Sequence, residues 1–325
     1  MKLTIVTINY NNAEGLQKTL ASVAEQTYRN IEHIIVDGGS TDGSVDVIRE
    51  YEQQLHLTHS TIHILWISER DKGIYNAMNH GIEIAIGRRV VSDNHTSSVN
   101  SLNVHPLNES LCDYIQILNS GDILAAPDVT ERMIKALSTL NIPLSTENAV
   151  GILYGNMIRD FGNGKFHRDV CLGDRAKNME GGKWKVGSVE WTMDDFIKGT
   201  VNHDPTYIHR SLYEKYGLYD ENLKICGDWK WFVNTVVFGG EKLYYVPIDV
   251  TIFDTTGISE TNLEFREKER YAELEKMLPA AILKDYDRYH FPISQYKRLK
   301  KYHLWPIVYF MERVLFKLNK WGVLR

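Results

Sequence analysis

Four short segments hold residue types able to do chemistry. Asp228 stands in GDWKWF (227–232), at the start of a stretch that reads as helix to about 238. A carboxylate at a helix start is stabilised as the anion, which suits a general base that takes a proton from a hydroxyl. Trp229 and Trp231 flank it, and aromatic faces commonly stack on sugars; a helix cap with core tryptophans is the plainer reading. Asp122 ends LNSGD (118–122). One carboxylate after a small, flexible triplet suits a hard cation held by one or two carboxylates plus substrate phosphates, or simply a strand-ending turn. In VDGGSTDG (36–43), Gly38 and Gly39 let the backbone turn sharply and approach a ligand. Ser40 or Thr41 can cap the following helix, whose N-terminus favours negative charge. Asp37 there either accepts a hydrogen bond from a base or ribose or closes an Asp-Gly turn. His203, in NHDP (202–205), is a lone histidine before a short strand, a setting that is more often structural than catalytic.

These residues need elements to present them. Leu3–Ile8, 32–37, 62–67 and 113–118 read as strands, and 14–25, 43–55 and 74–86 carry apolar residues at helical spacing. Strands of about six residues alternating with amphipathic helices predict βαβ units and a mostly parallel sheet. Ligands bind at the carboxyl ends of such strands. Asn9, Asn11, Asp37, Glu69, Asp71 and Asp122 all fall there. Beyond 150 the signal is mixed. A strand at 150–155, a helix near 211–217, two short strands within 243–254 and a charged helix over 263–278 are expected.

Composition narrows the classes. With 325 residues, 43% hydrophobic and 24% charged, the chain can bury a large core and is neither disordered nor fibrous. A net charge of -5 argues against a nucleic-acid binder. Cys112, Cys171 and Cys226 form no CxxC, which excludes a zinc ribbon and fits a reducing compartment. P-loop, GxGxxG, GxSxG and HExxH patterns are absent. The MKLTIVTINYNN start reads as a strand rather than a signal peptide, and no apolar run is long enough to span a bilayer. A cytoplasmic location, peripheral on the inner face of the membrane, is therefore expected. The last 36 residues carry eight Lys/Arg against one Glu. After Pro306, residues Ile307, Phe310, Met311, Val314, Leu318 and Trp321 share one helical face. That pattern reads as a basic amphipathic helix on a membrane surface, or as a helix packed on its own domain.

The order of the segments adds a further reading. TINYNN (7–12), VDGGSTDGS (36–44), SERDKGIYNAMNHGI (68–82), LNSGD, the 202–221 stretch, GDW (227–229) and FDTTGIS (253–259) together resemble the family 2 glycosyltransferases of GT-A fold. Within that family the chain looks like the bacterial surface-polysaccharide members of colanic-acid type. The likeness covers about residues 1–260. It implies an α/β fold with a mostly parallel, Rossmann-like central sheet flanked by helices and a C-terminal helical tail. A catalytic domain over 1–260 would comprise a nucleotide-binding half (1–122) and an acceptor-binding half (123–260). Residues 261–325 would form the helical extension.

The resemblance also implies roles. Thr7, Asn9 and Asp37 match the part that holds the nucleoside of a sugar nucleotide, and Asp71, Lys72 and Asn79 the loop and helix that close over it. Asn119, Ser120 and Gly121 lead to Asp122, which matches the aspartate that bridges Mg²⁺ or Mn²⁺ to the diphosphate. Asp228 matches the base; His203, with Trp229, lies near phosphates or acceptor. The expected function is inverting transfer of a single sugar from a nucleotide-diphosphate sugar to a saccharide acceptor, lipid-linked, without nucleic acid. Several positions depart from the family. The usual VDDGS reads VDGGS, DxD reads NSGD, and position 76 is Asn; QxxRW, the mark of processive synthases, is absent. About twenty-five residues at 88–112 are inserted. A catalytically silent module that binds a nucleotide sugar or a partner is the alternative. A nucleotidyltransferase would be expected to carry a basic, Gly-rich phosphate loop after the first strand, and TINYNNAEG has no basic residue.

Overall fold

The computed structural model describes residues 1–89, 112–140, 150–162, 164–169, 179–180, 183–184 and 187–320. Most of the 88–112 insertion, Cys171, Trp321 and Arg325 lie outside the described residues. Two compact units divide the chain, Met1–Arg266 and Glu267–Arg325.

In the first unit the elements follow as β1 (Leu3–Asn9), α1 (Ala13–Ala24), β2 (Ile31–Asp37), α2 (Ser44–Leu57), β3 (His63–Ser68), α3 (Ile74–Ala85), β4 (Tyr114–Ile117), β5 (Ile123–Leu124) and α4 (Val129–Thr139). Next come β6 (Ile152–Asp160), β7 (Phe166–Asp169), β8 (Met179–Glu180), β9 (Lys183–Trp184), β10 (Gly187–Val189), α5 (Met193–Lys198), β11 (Thr206–His209) and α6 (Arg210–Tyr216). The unit closes with α7 (Gly227–Phe232), a π-helical turn over Val233–Phe238, β12 (Leu243–Asp254), α8 (Ile258–Thr261) and the start of α9 (Leu263–Met277).

The main sheet runs β10-β12-β6-β11-β4-β1-β2-β3, with β5 on β12 and β7 on β6. Strands β3, β2, β1 and β4 are parallel, as are β6 and β12; β11 is antiparallel to both its neighbours. The α/β fold with a central sheet flanked by helices is thus as expected. The chain order turns back at β1, between β2 and β4, and in such sheets ligands bind outside the carboxyl ends of the strands at that point. Asn9 pairs in register with Asp37, and Asp37 with Ser68, so three strand ends present polar residues side by side.

Right-handed crossovers put α1 and α2 on one face and α3 on the other. Leu3, Ile5, Leu16, Leu20, Val23, Ile35 and Ile48 form the buried cluster on the first face. On the second, α3 lies close enough to β1 that a methyl at Gly81 would stand 2.2 Å from Val6 Cγ1. Gly81 therefore sets how tightly α3 approaches the sheet. Inside the core, His33 sits between Thr7 Oγ1 (2.9 Å) and the Tyr51 hydroxyl (3.0 Å). Burial pushes the His33 imidazole down to about 3, so it is neutral.

Three regions differ from the pattern reading. The two short strands expected at 243–254 are one strand, β12, with register irregularities between Tyr245 and Thr251. Pro247 falls in that stretch; it lacks an N–H, and its ring interrupts the apolar pattern without ending the strand. The helix expected from Asp228 to 238 is one α-helical stretch of six residues followed by the π-helical turn. Helix α4, which follows a Pro-Asp turn at 127–128, was not anticipated.

The second unit holds the rest of α9, then α10 (Ala280–Lys301) and α11 (Trp305–Lys320). Along α11, Ile307, Phe310, Met311 and Val314 are exposed at the predicted helical spacing. No helix among the described residues is long and apolar enough to cross a membrane.

Candidate active site

The β2–α2 turn stands at the carboxyl ends of β1, β2 and β3. Asp37 is fully buried, and four protein donors occupy its carboxylate. Asn9 Nδ2 (2.8 Å) and Ser40 Oγ (2.6 Å) donate to Oδ1; the Ser40 N–H (3.0 Å) and Ser68 Oγ (2.7 Å) donate to Oδ2. Asp37 therefore organises the turn and the three strand ends. Asn9 Oδ1, by contrast, is buried with no protein partner. Thr7 is also fully buried, and its hydroxyl is engaged by His33. The departure at Gly38 has a steric cause: a Cβ there would stand 2.5 Å from Asp71 Oδ2. Tyr10 lies over the same glycine with 66% of its surface exposed. Asp71 Oδ1 accepts the Gly73 N–H (2.9 Å), and the Lys72 N–H donates to Asn76 Oδ1 (3.1 Å), tying this loop to the first turn of α3.

Helix α3 is fastened to the segment ahead of the base. Asn79 Nδ2 donates to the Tyr219 carbonyl and to Glu221 Oε1, each at 2.9 Å, and its Oδ1 accepts the Tyr219 N–H (2.9 Å). Asn76 Nδ2 donates to the other Glu221 oxygen (2.9 Å). Asn79 thus spends its amide on joining two parts of the chain.

LNSGD lies beside β1, at the end of β4. The Ser120 N–H donates to the Ile8 carbonyl (3.0 Å), and the Asn12 amide to the Ser120 carbonyl (3.2 Å). Gly121 has φ of +106°, a conformation that glycine alone adopts readily, and its N–H donates to Thr19 Oγ1 (3.0 Å). Asp122 is 3% exposed, and its Oδ1 accepts the Asp254 N–H (2.8 Å). Burial first, and the neighbouring Asp204 charge second, push the Asp122 carboxyl well above the usual carboxylate range.

His203 connects this loop to the base. Its Nδ1 is 3.1 Å from Asp228 Oδ2, and its Nε2 is 3.4 Å from Asp204 Oδ1. Burial alone would lower the imidazole. The Asp204 charge, with the hydrogen bond and charge of Asp228, overcomes it and lifts His203 to about 9. Asn119 Nδ2 stands 3.0 Å from Nε2, while Asn119 Oδ1 is buried without a partner. An imidazolium has only donors, so turning that amide over lets Oδ1 accept the Nε2–H and satisfies both groups. Asp228 itself is pulled two ways: burial raises it, but His203 and the Tyr75 hydroxyl hold it below the ordinary carboxylate value. Tyr75 is 2.9 Å from Asp228 Oδ1. A relay of side chains thus runs from Asp122 through Asp204 and His203 to Asp228, and places both carboxylates in one site.

Trp229, weighed above as a stacking surface, instead lies in the core at 1% exposure, with Nε1 donating to the Phe196 carbonyl (2.7 Å). Asp204, Asp254, Tyr10 and Tyr75 were not singled out in the sequence. Asp204 adjoins His203, and Asp254, Tyr10 and Tyr75 lie in quoted motifs, so all were within reach. Tyr75, at helical spacing among apolar residues, looks like any core aromatic.

The chain is similar in sequence and in fold to known proteins. Residues 4–92 match the family described as Glycosyl transferase family 2. The chain is 27% identical over 288 residues to the uncharacterized glycosyltransferase Rv1514c of Mycobacterium tuberculosis, covering 85% of each chain. Among solved structures, a mannosyltransferase of Pyrobaculum calidifontis with GDP-Man and Mn²⁺ superposes with a TM-score of 0.55 at 16% identity, over 85% of this chain and 64% of that one. Staphylococcus aureus TarS 1-349 with UDP-GlcNAc gives 0.53 at 12% identity, over 81% and 61%. The chain thus spans less than two thirds of either solved neighbour.

His203 carries a pH signature. Its folded value lies above the ordinary 6.5, so the stabilisation from its charge is complete below about pH 6.5 and is lost as pH rises through about 9. The full loss is on the order of 3 kcal/mol. Urea unfolding should show this decline between pH 6.5 and 9.5 in the native chain and little of it in His203→Gln. Parallel profiles for the two proteins would refute the charge assigned to His203.

Residues 4–92 are therefore similar to the glycosyl transferase family 2 domain, and the chain shares the fold of the GT-A glycosyltransferases.

Proposed function

We propose that this chain is an inverting, metal-dependent glycosyltransferase of the colanic-acid type. It moves a single sugar from a nucleotide-diphosphate sugar to a lipid-linked saccharide in surface-polysaccharide biosynthesis. The observation that carries the proposal is the relay Asp122–Asp204–His203–Asp228, which links a base to a buried carboxyl pair within one site. A silent binding module has no need of a base with both oxygens fixed.

Asp228 takes the proton of the acceptor hydroxyl, and that oxygen forms a bond to the anomeric carbon as the bond to the diphosphate breaks. One displacement needs one base, and inversion follows. His203 stays charged and keeps Asp228 anionic until the proton arrives. On the donor side, the buried Asn9 Oδ1 without a partner offers an acceptor to a base or ribose beside the exposed Tyr10 ring. The donor set also fits a divalent cation. Two carboxyls forced together out of water call for a proton or a cation, and Asp204 Oδ1 is buried without a hydrogen bond. No group of three or more His, Cys, Asp or Glu among the described residues is disposed to hold a metal unaided. Asp122 would therefore share the ion with the donor diphosphate. When bound, such an ion neutralises charge building on the leaving group. The solved neighbours with GDP-Man and Mn²⁺ and with UDP-GlcNAc support a nucleotide-sugar donor.

A thermal-shift panel of nucleotide sugars, with and without Mn²⁺, tests the donor half. Stabilisation by a nucleotide-diphosphate sugar that depends on Mn²⁺ in the native chain, and is lost in Asp122→Ala, is expected. Asp228→Asn should bind the donor as the native chain does and lose transfer by about 10²–10⁴-fold, the usual worth of a general base. Unimpaired transfer by Asp228→Asn would end the assignment of the base.

The acceptor and location rest on α11. Its exposed Ile307, Phe310, Met311 and Val314, within a strongly basic C-terminal stretch, suit an anionic lipid surface, which would hold the enzyme beside a lipid-linked acceptor. The full chain should sediment with vesicles containing phosphatidylglycerol and not with phosphatidylcholine alone, and Phe310→Glu should weaken that binding. Equal sedimentation with both lipids, or with neither, counts against a membrane role.

A further inference from the structure

We propose that Tyr75 is the positioning residue of the base: it holds the Asp228 carboxyl in one orientation in both its charged and its protonated state, with the Ile225 carbonyl as the alternative partner that makes this possible. The inference rests on the reading of Asp228 as the base and concerns a side chain of the 68–82 motif to which the sequence analysis assigned no role.

Two acceptors face one hydroxyl. The Tyr75 oxygen stands 2.5 Å from the Ile225 carbonyl oxygen and 2.9 Å from Asp228 Oδ1, and a phenol has one proton to give. A carbonyl can only accept. While Asp228 is charged, the phenol proton serves the carboxylate. Once Asp228 has taken the acceptor proton, an O–H on Oδ1 must find an acceptor of its own. The phenol oxygen becomes that acceptor when its own proton turns to Ile225. Oδ1 is the oxygen able to carry the proton, because Oδ2 faces the Nδ1 of the charged His203. One O–H bond breaks in the acceptor and one forms at Asp228; Tyr75 ends with the proton it began with. Its phenol is suited to this constancy: burial first, and the Asp228 charge second, hold it well above its ordinary value.

The ring is fixed from several sides. A Cβ on Gly227, the residue before the base, would stand 2.7–2.8 Å from three ring carbons of Tyr75. The glycine therefore lets the ring lie flat against the backbone that carries Asp228. The Tyr219 ring packs on it with centroids 5.7 Å apart, and the amides of Asn76 and Asn79 lock α3 to Tyr219 and Glu221. The titratable groups around Asp228 are His203 on Oδ2, Asp204 behind it, and the phenols of Tyr75, Tyr219 and Tyr213; the Trp229 N–H also supports the charged form.

Ring-labelled histidine NMR tests the proposal without a sugar substrate. The His203 signal, assigned by its loss in His203→Gln, senses the charge of Asp228 through their direct contact. In the native chain the step due to Asp228 should lie at a pH below the ordinary carboxylate value, and it should vanish in Asp228→Asn. Tyr75→Phe should move that step to higher pH. Gly227→Ala keeps the hydroxyl but displaces the ring, and should move the step the same way. A merely structural tyrosine would lower the melting temperature and leave the step in place; that result in folded Tyr75→Phe overturns the proposal. Should Tyr75→Phe fail to fold, an unmoved step in Gly227→Ala overturns it. Absence of nucleotide-sugar binding would sink the transferase reading and leave this measurement interpretable by itself.

Discussion

The positive charge of the half-buried His203 holds the site together. Asp204 is buried, Asp228 is 13% exposed, and Asp122 lies against Asp204, so three carboxyl groups crowd a region where charge is costly to leave unpaired. His203 stands between two of them and is charged because of them. The fold meets this constraint by bringing four chain segments to one place. Strand β4 delivers Asn119 and Asp122, the turn before β11 delivers His203 and Asp204, α7 delivers Asp228, and α3 delivers Tyr75. Each would be a liability alone. Together they form a network in which most polar atoms have a counterpart; Asp204 Oδ1, Asn119 Oδ1 and the adjoining Gln116 Oε1 are buried without one.

The antiparallel strand β11 makes that convergence possible. A wholly parallel arrangement would send every strand's carboxyl end to one edge and every amino end to the other. Because β11 runs the opposite way between β4 and β6, its amino-terminal end, with His203 and Asp204 just ahead, meets the carboxyl end of β4. Gln116 Nε2 secures the meeting by donating to the Asp204 carbonyl at 2.7 Å.

Much of this was legible in the sequence, and the reason differs between the halves. Leu3–Ile8, 32–37 and 62–67 are short apolar runs bounded by polar turns, and the helices between them repeat their apolar residues every three to four positions; both signals are local. Asp37, Asp122 and Asp228 stood out because each follows or opens such an element. The second half was harder. Pro247 inside β12 and the π-helical turn after α7 break the periods on which pattern reading relies. Contacts between distant segments left no local trace: Tyr75 and Asp228 are 153 residues apart, and the burial of Trp229 depends on Phe196. The commitment of Asp37 to four protein donors was likewise invisible, since Ser68 reaches it from a neighbouring strand.

Glu221 lies on the surface, and from composition alone it would pass for one more solvated carboxylate. Its two oxygens are nevertheless shared between Asn76 and Asn79 on a helix more than 140 positions earlier. The three residues form a lock: removing the carboxylate takes one partner from each amide, and altering either amide leaves the carboxylate half used. Over evolutionary time such a trio is expected to drift in concert, so that an exposed position inherits the slow pace of a buried one.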